Sequence, residues 1–309
     1  MKLLITGASG FVGWNAVRYF ADRLFFVQPT FRSFPHYLHY HSLERVQKPV
    51  QLDITDRRAV DIVVSRFRPD YILHTAALAR PQASVSGNRN QLYETNVRGT
   101  EHLVRAAAQH GSHLFFLSTD LVYPADAGSV DEGTPTGPSG AGEYSGTKLQ
   151  AEELLRTAAE TWTIVRCTLM FGNGTPRSNS FSQFLERKWA AGEPAPVFSD
   201  QIRSFLYVGD LLSGIETLIH SGRSAGELYV CGGEENLSRA DFAGAYARAL
   251  GVPPELCNVM RSTELEGYVG GPSDIRMNTA KLRGMGWHPR SLTECFREMA
   301  ANKGKFVGE

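Results

Sequence analysis

The first 22 residues commit the chain to one local geometry. Lys2-Leu-Leu-Ile-Thr6 is an apolar run too short for a helix and suited to a buried parallel strand. Gly7-Ala-Ser-Gly10-Phe-Val-Gly13 follows at once, and Phe11 to Asp22 then carries Phe11, Val12, Ala16, Val17 and Phe20 at helical spacing. Strand, glycine turn and helix in this order are the context a dinucleotide-binding turn requires. Gly7 allows the tight turn, Gly10 lets backbone approach a pyrophosphate, and Gly13 lets the helix pack closely on the strand. Free N–H groups and the helix dipole then face the phosphates. The candidate contacts are Gly7, Ser9, Gly10, Phe11, Val12 and Gly13. The alternative is a glycine-rich turn of an unrelated α/β protein, and the placement between strand and helix weighs against it.

Strand-like runs and helical runs then alternate. Strands are expected near Leu24–Val27, Val50–Ile54, Tyr71–Thr75, His113–Ser118 and Thr163–Cys167, with helices near Asp56–Phe67, Leu92–His110 and Tyr144–Glu160. This alternation predicts a parallel sheet covered on both faces, with ligands outside the carboxyl ends of its strands. After Phe171 loops lengthen. Helices are expected at Ser180–Ala191, Val208–His220, Arg239–Leu250 and Thr293–Ala301, and strands at Pro196–Phe198 and Glu227–Cys231. Ser238 reads as an N-cap with Asp241 as its capping-box partner. The expected fold is α/β, a Rossmann-type doubly wound parallel sheet with a smaller C-terminal substrate-binding lobe. The expected division is a dinucleotide-binding domain over 1–170 and a lobe over 171–309 that returns some elements to the main domain.

Composition narrows the classes of function. The 309 residues carry 32 basic and 32 acidic side chains, so no net field favours nucleic acid or an anionic membrane. Cys167, Cys231, Cys257 and Cys295 show no paired spacing and read as reduced thiols. No apolar run approaches a transmembrane length, and the first strand begins at the N-terminus, so no signal peptide is expected. The expectation is a cytoplasmic protein. His36, His39 and His41 lack a supporting Cys or carboxylate pattern and read as structural or surface histidines. No metal is predicted.

Tyr144-Ser-Gly-Thr-Lys148 places a phenol and an ammonium four residues apart on one helix face, downstream of Ser118-Thr119-Asp120. An ammonium beside a phenol favours the phenolate and lowers its pKa, giving a proton donor usable near neutral pH. Alone, such a pair is more often a surface pair. With the G-x-x-G-x-x-G turn at Gly7, Gly10 and Gly13, and with Thr119, it resembles the extended short-chain dehydrogenase/reductase family over nearly the whole chain. That resemblance implies that Thr119, Tyr144 and Lys148 form the catalytic set. Thr119 would hydrogen-bond the substrate oxygen, Tyr144 would protonate it, and Lys148 would hold the nicotinamide ribose. Gly146, costly within a helix, would leave room for the cofactor.

The segment Gln28-Pro-Thr-Phe-Arg32-Ser33 has no carboxylate to bond a ribose 2′-hydroxyl, and Arg32 suits a 2′-phosphate, so NADP(H) is expected, with NAD possible. Equal affinity for NADH and NADPH would sink that reading. The resemblance further implies that Asp53 and Ile54 line the adenine and that Thr75, Ala76 and Ala77 lie along the cofactor, with His74 a wall residue. It also implies that Asn96 bonds backbone near the site, and that the segment from Arg166 through Cys167 to Gly172 covers the nicotinamide.

Ser118-Thr-Asp-Leu-Val-Tyr123, Gly7 to Trp14, Pro272 to Leu282 and Gly286-Trp-His-Pro289 resemble dTDP-4-dehydrorhamnose reductases, which implies a nucleotide-linked 4-keto sugar as substrate. Asn15 and Leu169 depart from that pattern, where a Mg²⁺-linked glutamate and a sugar-contacting tryptophan often stand. Asp200-Gln-Ile-Arg203-Ser-Phe-Leu-Tyr207-Val-Gly-Asp210 resembles a segment of sugar-nucleotide epimerases whose arginine meets a substrate phosphate, a task that suits a guanidinium. The competing reading of Arg203 is an arginine paired to a neighbouring carboxylate. Asp120, Asn179 and Arg203 complete the candidate substrate contacts, with Arg177 and Ser180 beside them. Two alternatives stand beside the reductase: an NAD-retaining 4-epimerase, and a non-catalytic NADP-binding regulatory subunit resembling the beta subunit of methionine adenosyltransferase. Dehydratases usually add a glutamate where Leu121 stands. A homodimer is a family expectation.

Overall fold

The computed structural model describes residues 1–33, 43–79, 89–137, 142–158, 161–176, 178–268 and 270–303. His36, His39, His41 and Arg177 therefore lie outside the described residues. In chain order the first part runs β1 (Lys2–Thr6), α1 (Phe11–Ala21), β2 (Phe26–Phe31), β3 (Val50–Gln51), α2 (Arg57–Phe67), β4 (Tyr71–His74), α3 (Arg89–Tyr93), α4 (Gly99–His110), β5 (His113–Thr119), β6 (Gly128–Val130), α5 (Glu143–Ala158) and β7 (Trp162–Cys167). It continues with β8 (Met170–Phe171), α6 (Phe181–Ala190), β9 (Ala195–Phe198), β10 (Ile202–Ser204), β11 (Leu206–Tyr207), α7 (Val208–Ser221), β12 (Glu227–Cys231), β13 (Asn236–Ser238) and α8 (Arg239–Leu250). The last elements are β14 (Cys257–Met260), β15 (Asp274–Met277), α9 (Ala280–Arg283) and α10 (Leu292–Asn302).

Seven strands form a parallel sheet in the order β12-β7-β5-β4-β1-β2-β3. The chain reverses direction between β1 and β4, which makes the switch-point crevice where ligands bind such sheets. β1, β4, β5 and β7 are buried along nearly their whole length, as apolar strands covered on both faces must be. One core cluster joins α1 and α7 over one face, and a second packs α2, α4 and α5 over the other. A four-stranded sheet, β13-β10-β15-β6, builds the smaller lobe. β12 carries chain from beyond residue 171 into the main sheet, while β6 carries chain from before it into the small one.

Several expectations need correction, among them the strand at Val50–Ile54, which is only Val50–Gln51. The second strand is Phe26–Phe31, not Leu24–Val27: Leu24 holds a left-handed φ of 69°. The strand passes through Pro29 because the amide of Gln28, donating to the Lys48 carbonyl at 3.0 Å, spans the gap between the Val27–Val46 bridge and the Thr30–Val50 pairing. The helix expected over Leu92–His110 is instead α3, a π-helical turn at Glu94–Arg98, and α4. Such turns often re-aim a functional side chain, and this one carries Asn96. The Ser238 cap is present, accepting from Asp241 N at 3.0 Å, but the Asp241 carboxylate accepts from the Ser238 hydroxyl at 2.6 Å and not from the Ser238 backbone N–H. Among the described residues no helix is long and apolar enough to cross a membrane, and the four cysteines are free thiols.

Candidate active site

The glycine turn is built so that nothing else fits. Gly7 has φ +70°, and a Cβ there would stand 2.8 Å from the Ala76 backbone. A Cβ on Gly13 would stand 2.3 Å from the Gly7 carbonyl oxygen and 2.8 Å from Thr75 Oγ1. Thr75 Oγ1 donates to the Thr6 carbonyl at 2.6 Å, and Ala76 N donates to Thr6 Oγ1 at 3.3 Å, so the ends of β1 and β4 are stitched together under the turn. Helix α1 begins at Gly10 with no side-chain cap and no acidic residue in its first turn. Helices α2, α6, α8 and α10 by contrast carry side-chain caps from Asp56, Ser180, Ser238 and Ser291. Uncapped N–H groups at the positive end of a helix fit an anionic phosphate. The cradle thus fits a dinucleotide: glycines make its floor, and the helix start above it carries no side-chain cap.

The remaining candidates stand at the same sheet edge. Thr119 ends β5 directly opposite Cys167 at the end of β7. Thr119 Oγ1 donates to Asp120 Oδ1 at 3.2 Å and accepts from Leu121 N at 3.2 Å. Helix α5 turns Ser145, Thr147 and Lys148 inward, and the Lys148 ammonium lies 4.2 Å from the centre of the Phe116 ring. Burial lowers the pKa of Lys148 to about 8. Burial raises the thiol of Cys167 to about 12. The half-buried Tyr144 phenol is pushed well above its ordinary value, first by burial and then by Cys167 and Asp120. The expected lowering of that pKa by Lys148 is not what the structure shows. Every influence acting on the phenol raises its pKa, so at neutral pH Tyr144 holds its proton and is a donor. A Cβ at Gly146 would meet nothing within 4 Å, which leaves open space beside Tyr144.

His74 is a wall residue, as expected. Its ring bridges Thr6 Oγ1 at 2.8 Å and Thr100 Oγ1 at 3.0 Å, and burial lowers its pKa to about 3, so it is neutral. Asn96 accepts from Leu78 N at 2.8 Å and donates to Leu78 O at 3.0 Å and Thr147 Oγ1 at 3.1 Å, tying the segment after β4 to α5.

Asp120 and Arg203 come together as a buried pair, with Arg203 Nε 3.7 Å from Asp120 Oδ2 and side-chain exposures of 6% and 5%. Thr168 Oγ1 donates to the same oxygen at 3.0 Å. Burial raises the Asp120 carboxyl, and Arg203 opposes that shift. The rest of the Arg203 fork is given to the Ile202 carbonyl at 2.5 Å and to the Pro272 carbonyl. The structure thus shows Arg203 as the competing reading had it, paired to a neighbouring carboxylate.

Other candidates are more distant. Arg32 is exposed just past β2, and its carbonyl accepts from Gln51 Nε2 at 3.0 Å. Asp53 bonds its own turn through Thr55 N at 3.0 Å and Thr55 Oγ1 at 2.8 Å. Ile54 is buried under Gly99, whose Cβ would stand 2.7 Å from it. Asn179 is exposed and accepts from Arg187, while Ser180 caps α6. No contact among the described residues joins Arg32, Asp53 or Asn179 to the Tyr144 group. Asn15 donates to the Phe11 carbonyl at 2.8 Å and the Asn173 carbonyl at 2.9 Å, a joint between α1 and the loop after β8. A cavity of about 570 Å³ between α6 and the end of α8 is lined by Arg187, the partner of Asn179, but by none of Thr119, Tyr144 and Lys148.

Sequence reading missed the support beneath the site. Glu152 is fully buried on α5 and accepts from Ser118 Oγ at 2.6 Å, Arg166 Nε at 2.9 Å, Arg166 Nη2 at 2.7 Å and Arg156 Nη2 at 2.9 Å. Arg166 also donates to Tyr123 OH at 3.1 Å. One signal was available: Tyr144, Lys148 and Glu152 repeat at four-residue spacing on a single helix face.

Known proteins are similar to this chain over most of its length. The archaeal low-salt glycan biosynthesis protein Agl12 of Haloferax volcanii is 28% identical over 306 residues, 94% of each chain. A dTDP-glucose 4,6-dehydratase of Neisseria meningitidis serogroup B is 28% identical over 95% of this chain and 90% of its own. The crystal structure of dTDP-4-dehydrorhamnose reductase from Bacillus anthracis in complex with NADP superposes with a TM-score of 0.80 at 24% identity, covering 97% of this chain and 99% of that one. The family model described as the RmlD substrate binding domain matches residues 1–303, and with both the sheet and the lobe inside that span, the chain belongs to that family.

Proposed function

We propose that the chain is an NADPH-dependent oxidoreductase that reduces a keto group on a nucleotide-linked sugar, in the manner of a dTDP-4-dehydrorhamnose reductase. The observation that carries this reading is the protonated, half-buried Tyr144 phenol on the same helix face as the buried Lys148, at the sheet edge where an uncapped glycine turn opens. The printed names of the relatives support the substrate class and a nicotinamide dinucleotide.

The nicotinamide, when bound, supplies a hydride. The chain's own groups supply the rest. The first N–H groups of α1 hold the pyrophosphate, with Gly7, Ser9, Gly10, Phe11, Val12 and Gly13 shaping the cradle. Thr75, Ala76 and Ala77 form a low wall, Asp53 and Ile54 lie on the adenine side, and Arg32 reads a 2′-phosphate. Lys148 holds the ribose and adds positive charge as the phenol gives up its proton. Thr119 turns its hydroxyl from Asp120 to the substrate oxygen, and Tyr144 Oη passes its proton to that oxygen. Cys167 closes the floor as a neutral thiol. Asp120, Asn179 and Arg203 line the substrate side. The domain of 1–170 carries the dinucleotide and the lobe of 171–309 the sugar nucleotide.

The relatives' names also favour a second reading, a 4,6-dehydratase. Leu121 opposes it, since an apolar side chain cannot transfer a proton where dehydratases usually carry a glutamate. A homodimer through α4 and α5 is part of the proposal.

The test is NADPH oxidation with a panel of nucleoside-diphosphate 4-keto sugars beside Tyr144→Phe. Turnover should fall by about 10²–10⁴-fold with NADPH binding retained. Full activity in the variant refutes the assignment. Tightly bound NAD in purified protein would indicate an epimerase. NADPH binding without turnover on any member would indicate a regulatory subunit. Arg32→Ala should weaken NADPH and leave NADH unchanged.

A further inference from the structure

Glu152 is a fully buried carboxylate on α5, one turn beyond Lys148 and two beyond Tyr144 on the same helix face. Its Oε1 accepts from Ser118 Oγ at 2.6 Å and from Arg166 Nε at 2.9 Å, and its Oε2 accepts from Arg166 Nη2 at 2.7 Å and Arg156 Nη2 at 2.9 Å. Ser118 and Arg166 face each other across the β5–β7 ladder, and the next rung is Thr119 with Cys167. One side chain of α5 therefore grips both strands a single residue before the rung that carries the Thr119 hydroxyl. Arg166 is held from another side as well, by Tyr123 OH, which in turn donates to the Asp131 carbonyl at 2.8 Å.

A buried ion cluster is a poor source of stability, because well-packed apolar residues of the same volume often serve as well or better. What it supplies is geometry: forked, charge-assisted bonds hold three elements in one arrangement. Tyr144 and Lys148 ride on the helix and Thr119 on the strand, so their relative places are set where helix and strands are tied. The cluster also supplies charge. Burial alone would raise the Glu152 carboxyl, but the Arg166 and Ser118 bonds and the two guanidinium charges hold it below its ordinary value, so it is ionised at neutral pH. Burial lowers Lys148 to about 8, and Cys167 and Glu152 oppose that shift. The Cys167 thiol, from β7, keeps its proton to about pH 12, and His74, from β4, is a neutral ring. The Tyr144 phenol is protonated, and Asp120, which acts on Tyr144 and Cys167, is answered by Arg203. Of the groups that act on the Lys148 ammonium, Glu152 is thus the one ionised near neutral pH.

We propose that Glu152 is a positioning residue: its clamp on the Ser118–Arg166 rung sets Tyr144 and Lys148 against Thr119, and its charge keeps Lys148 an ammonium. This rests on the reading of Tyr144 as the proton donor to a keto oxygen. A phenol that gives up its proton needs a cation near it. A carboxylate one turn further along the helix serves that step through Lys148.

The test follows kcat, KM for NADPH and the pH profile of kcat/KM with 4-keto sugars in the parent, Ser118→Ala and Glu152→Gln, with thermal unfolding through the same pH range. Ser118→Ala keeps the charge and loses the tie to β5. Its kcat should fall by about 10- to 100-fold, as for a misplacement on the order of 1 Å. Its KM for NADPH and the alkaline fall of its profile, near the Lys148 value of about 8, should not change. Glu152→Gln removes a negative charge and leaves Arg166 positive, and both lower the proton affinity of Lys148. Its alkaline fall should therefore move down by about one pH unit, and the rise in stability that follows loss of the Lys148 proton should begin at the same lower pH. A residue that only packs would lower the melting temperature and leave the alkaline fall in place. That result overturns the proposal, as does full kcat in Ser118→Ala. If Glu152→Gln does not fold, Glu152→Asp decides: it keeps the charge on a shorter arm, so kcat should fall with the profile unmoved, and a parental kcat or a shifted profile overturns the assignment. A parent that reduces no 4-keto sugar would remove the oxidoreductase reading; the onset of the stability rise then decides for Glu152, and an onset unmoved in Glu152→Gln overturns its hold on the ammonium.

Discussion

The two sides of the cleft meet charge in opposite ways. The dinucleotide side works through backbone and missing side chains: a glycine turn at φ +70°, a helix start with no cap, and strand ends stitched by Thr6 and Thr75. The substrate side works through long charged side chains that already answer one another, Asp120 with Arg203 and Arg203 with the Pro272 carbonyl. Its helices α6 and α8 spend their N-termini on Ser180 and Ser238. The first surface receives an anion without rearrangement. The second must break an internal pair to do so.

Beneath both sides lies the Glu152 network, and removing its charge should have the largest effect. Glu152→Gln leaves the buried Arg166 without its carboxylate. Losing one partner of a buried pair costs about 3–5 kcal/mol. Urea unfolding should show the midpoint fall without a change in slope. An unchanged midpoint would mean that Tyr123 and water suffice for Arg166, and that the two sides are supported separately.

Gly13→Ala strikes the dinucleotide side alone. The new Cβ would meet the Gly7 backbone at 2.3 Å and the Thr75 hydroxyl at 2.8 Å. Overpacking of this kind costs about 1–3 kcal/mol, and the turn must open to relieve it. NADPH affinity should fall well beyond the loss of stability, while nucleoside-diphosphate affinity should hold. Retained NADPH affinity would remove the glycine turn from the site.

This contrast also explains what the sequence revealed. Gly7, Gly10 and Gly13 are legible because a backbone requirement leaves a residue-type signature at fixed spacing. The parallel sheet is legible because strands such as Ile72–Leu73 and Phe115–Phe116 are buried on both faces and read as apolar runs. Tyr144 and Lys148 follow from helical spacing. Asp120 with Arg203 is not legible as a pair, because the 82 intervening residues say nothing about distance. The short strands β6, β10, β13 and β15 escape because pairing across the chain, not local pattern, makes them. The direction of the Tyr144 shift was misread for a related reason: spacing brings Lys148 near, but burial is a property of the folded chain and outweighs it.

Lys148 supplies a pH test of the dinucleotide side. Its folded pKa of about 8 lies below the ordinary lysine value of 10.5. Between those values the unfolded chain binds more protons, so stability rises with pH across that window, and the burden of the buried charge is full below about pH 8. The gain is on the order of 1 kcal/mol per pH unit just above pH 8. Lys148→Met should flatten the slope and bring its greatest stabilisation below pH 8. A parent whose melting temperature shows no such rise, or a variant that keeps it, would mean that water reaches the ammonium.

The smallest change tests the comparison most directly by giving α1 the kind of cap that α2 has. Gly10 sits at φ −81° and ψ 171°, an extended conformation any residue adopts, and a Cβ there would stand 3.2 Å from the Gly7 carbonyl oxygen. Gly10→Asp can therefore place a carboxylate over the free N–H groups of α1, as Asp56 does for Ala59 N at 3.1 Å. A capping residue in place of glycine contributes only a few tenths of a kcal/mol, and the close Gly7 contact offsets part of it, so the melting temperature should barely move. NADPH binding should nevertheless be lost, because the carboxylate occupies the place of the phosphate and repels it. Loss of binding with stability intact would show that the empty helix start is kept for a ligand at little expense to the fold. Retained binding would mean that the anion rests elsewhere on the turn, and the contrast between α1 and the capped helices would no longer mark the site.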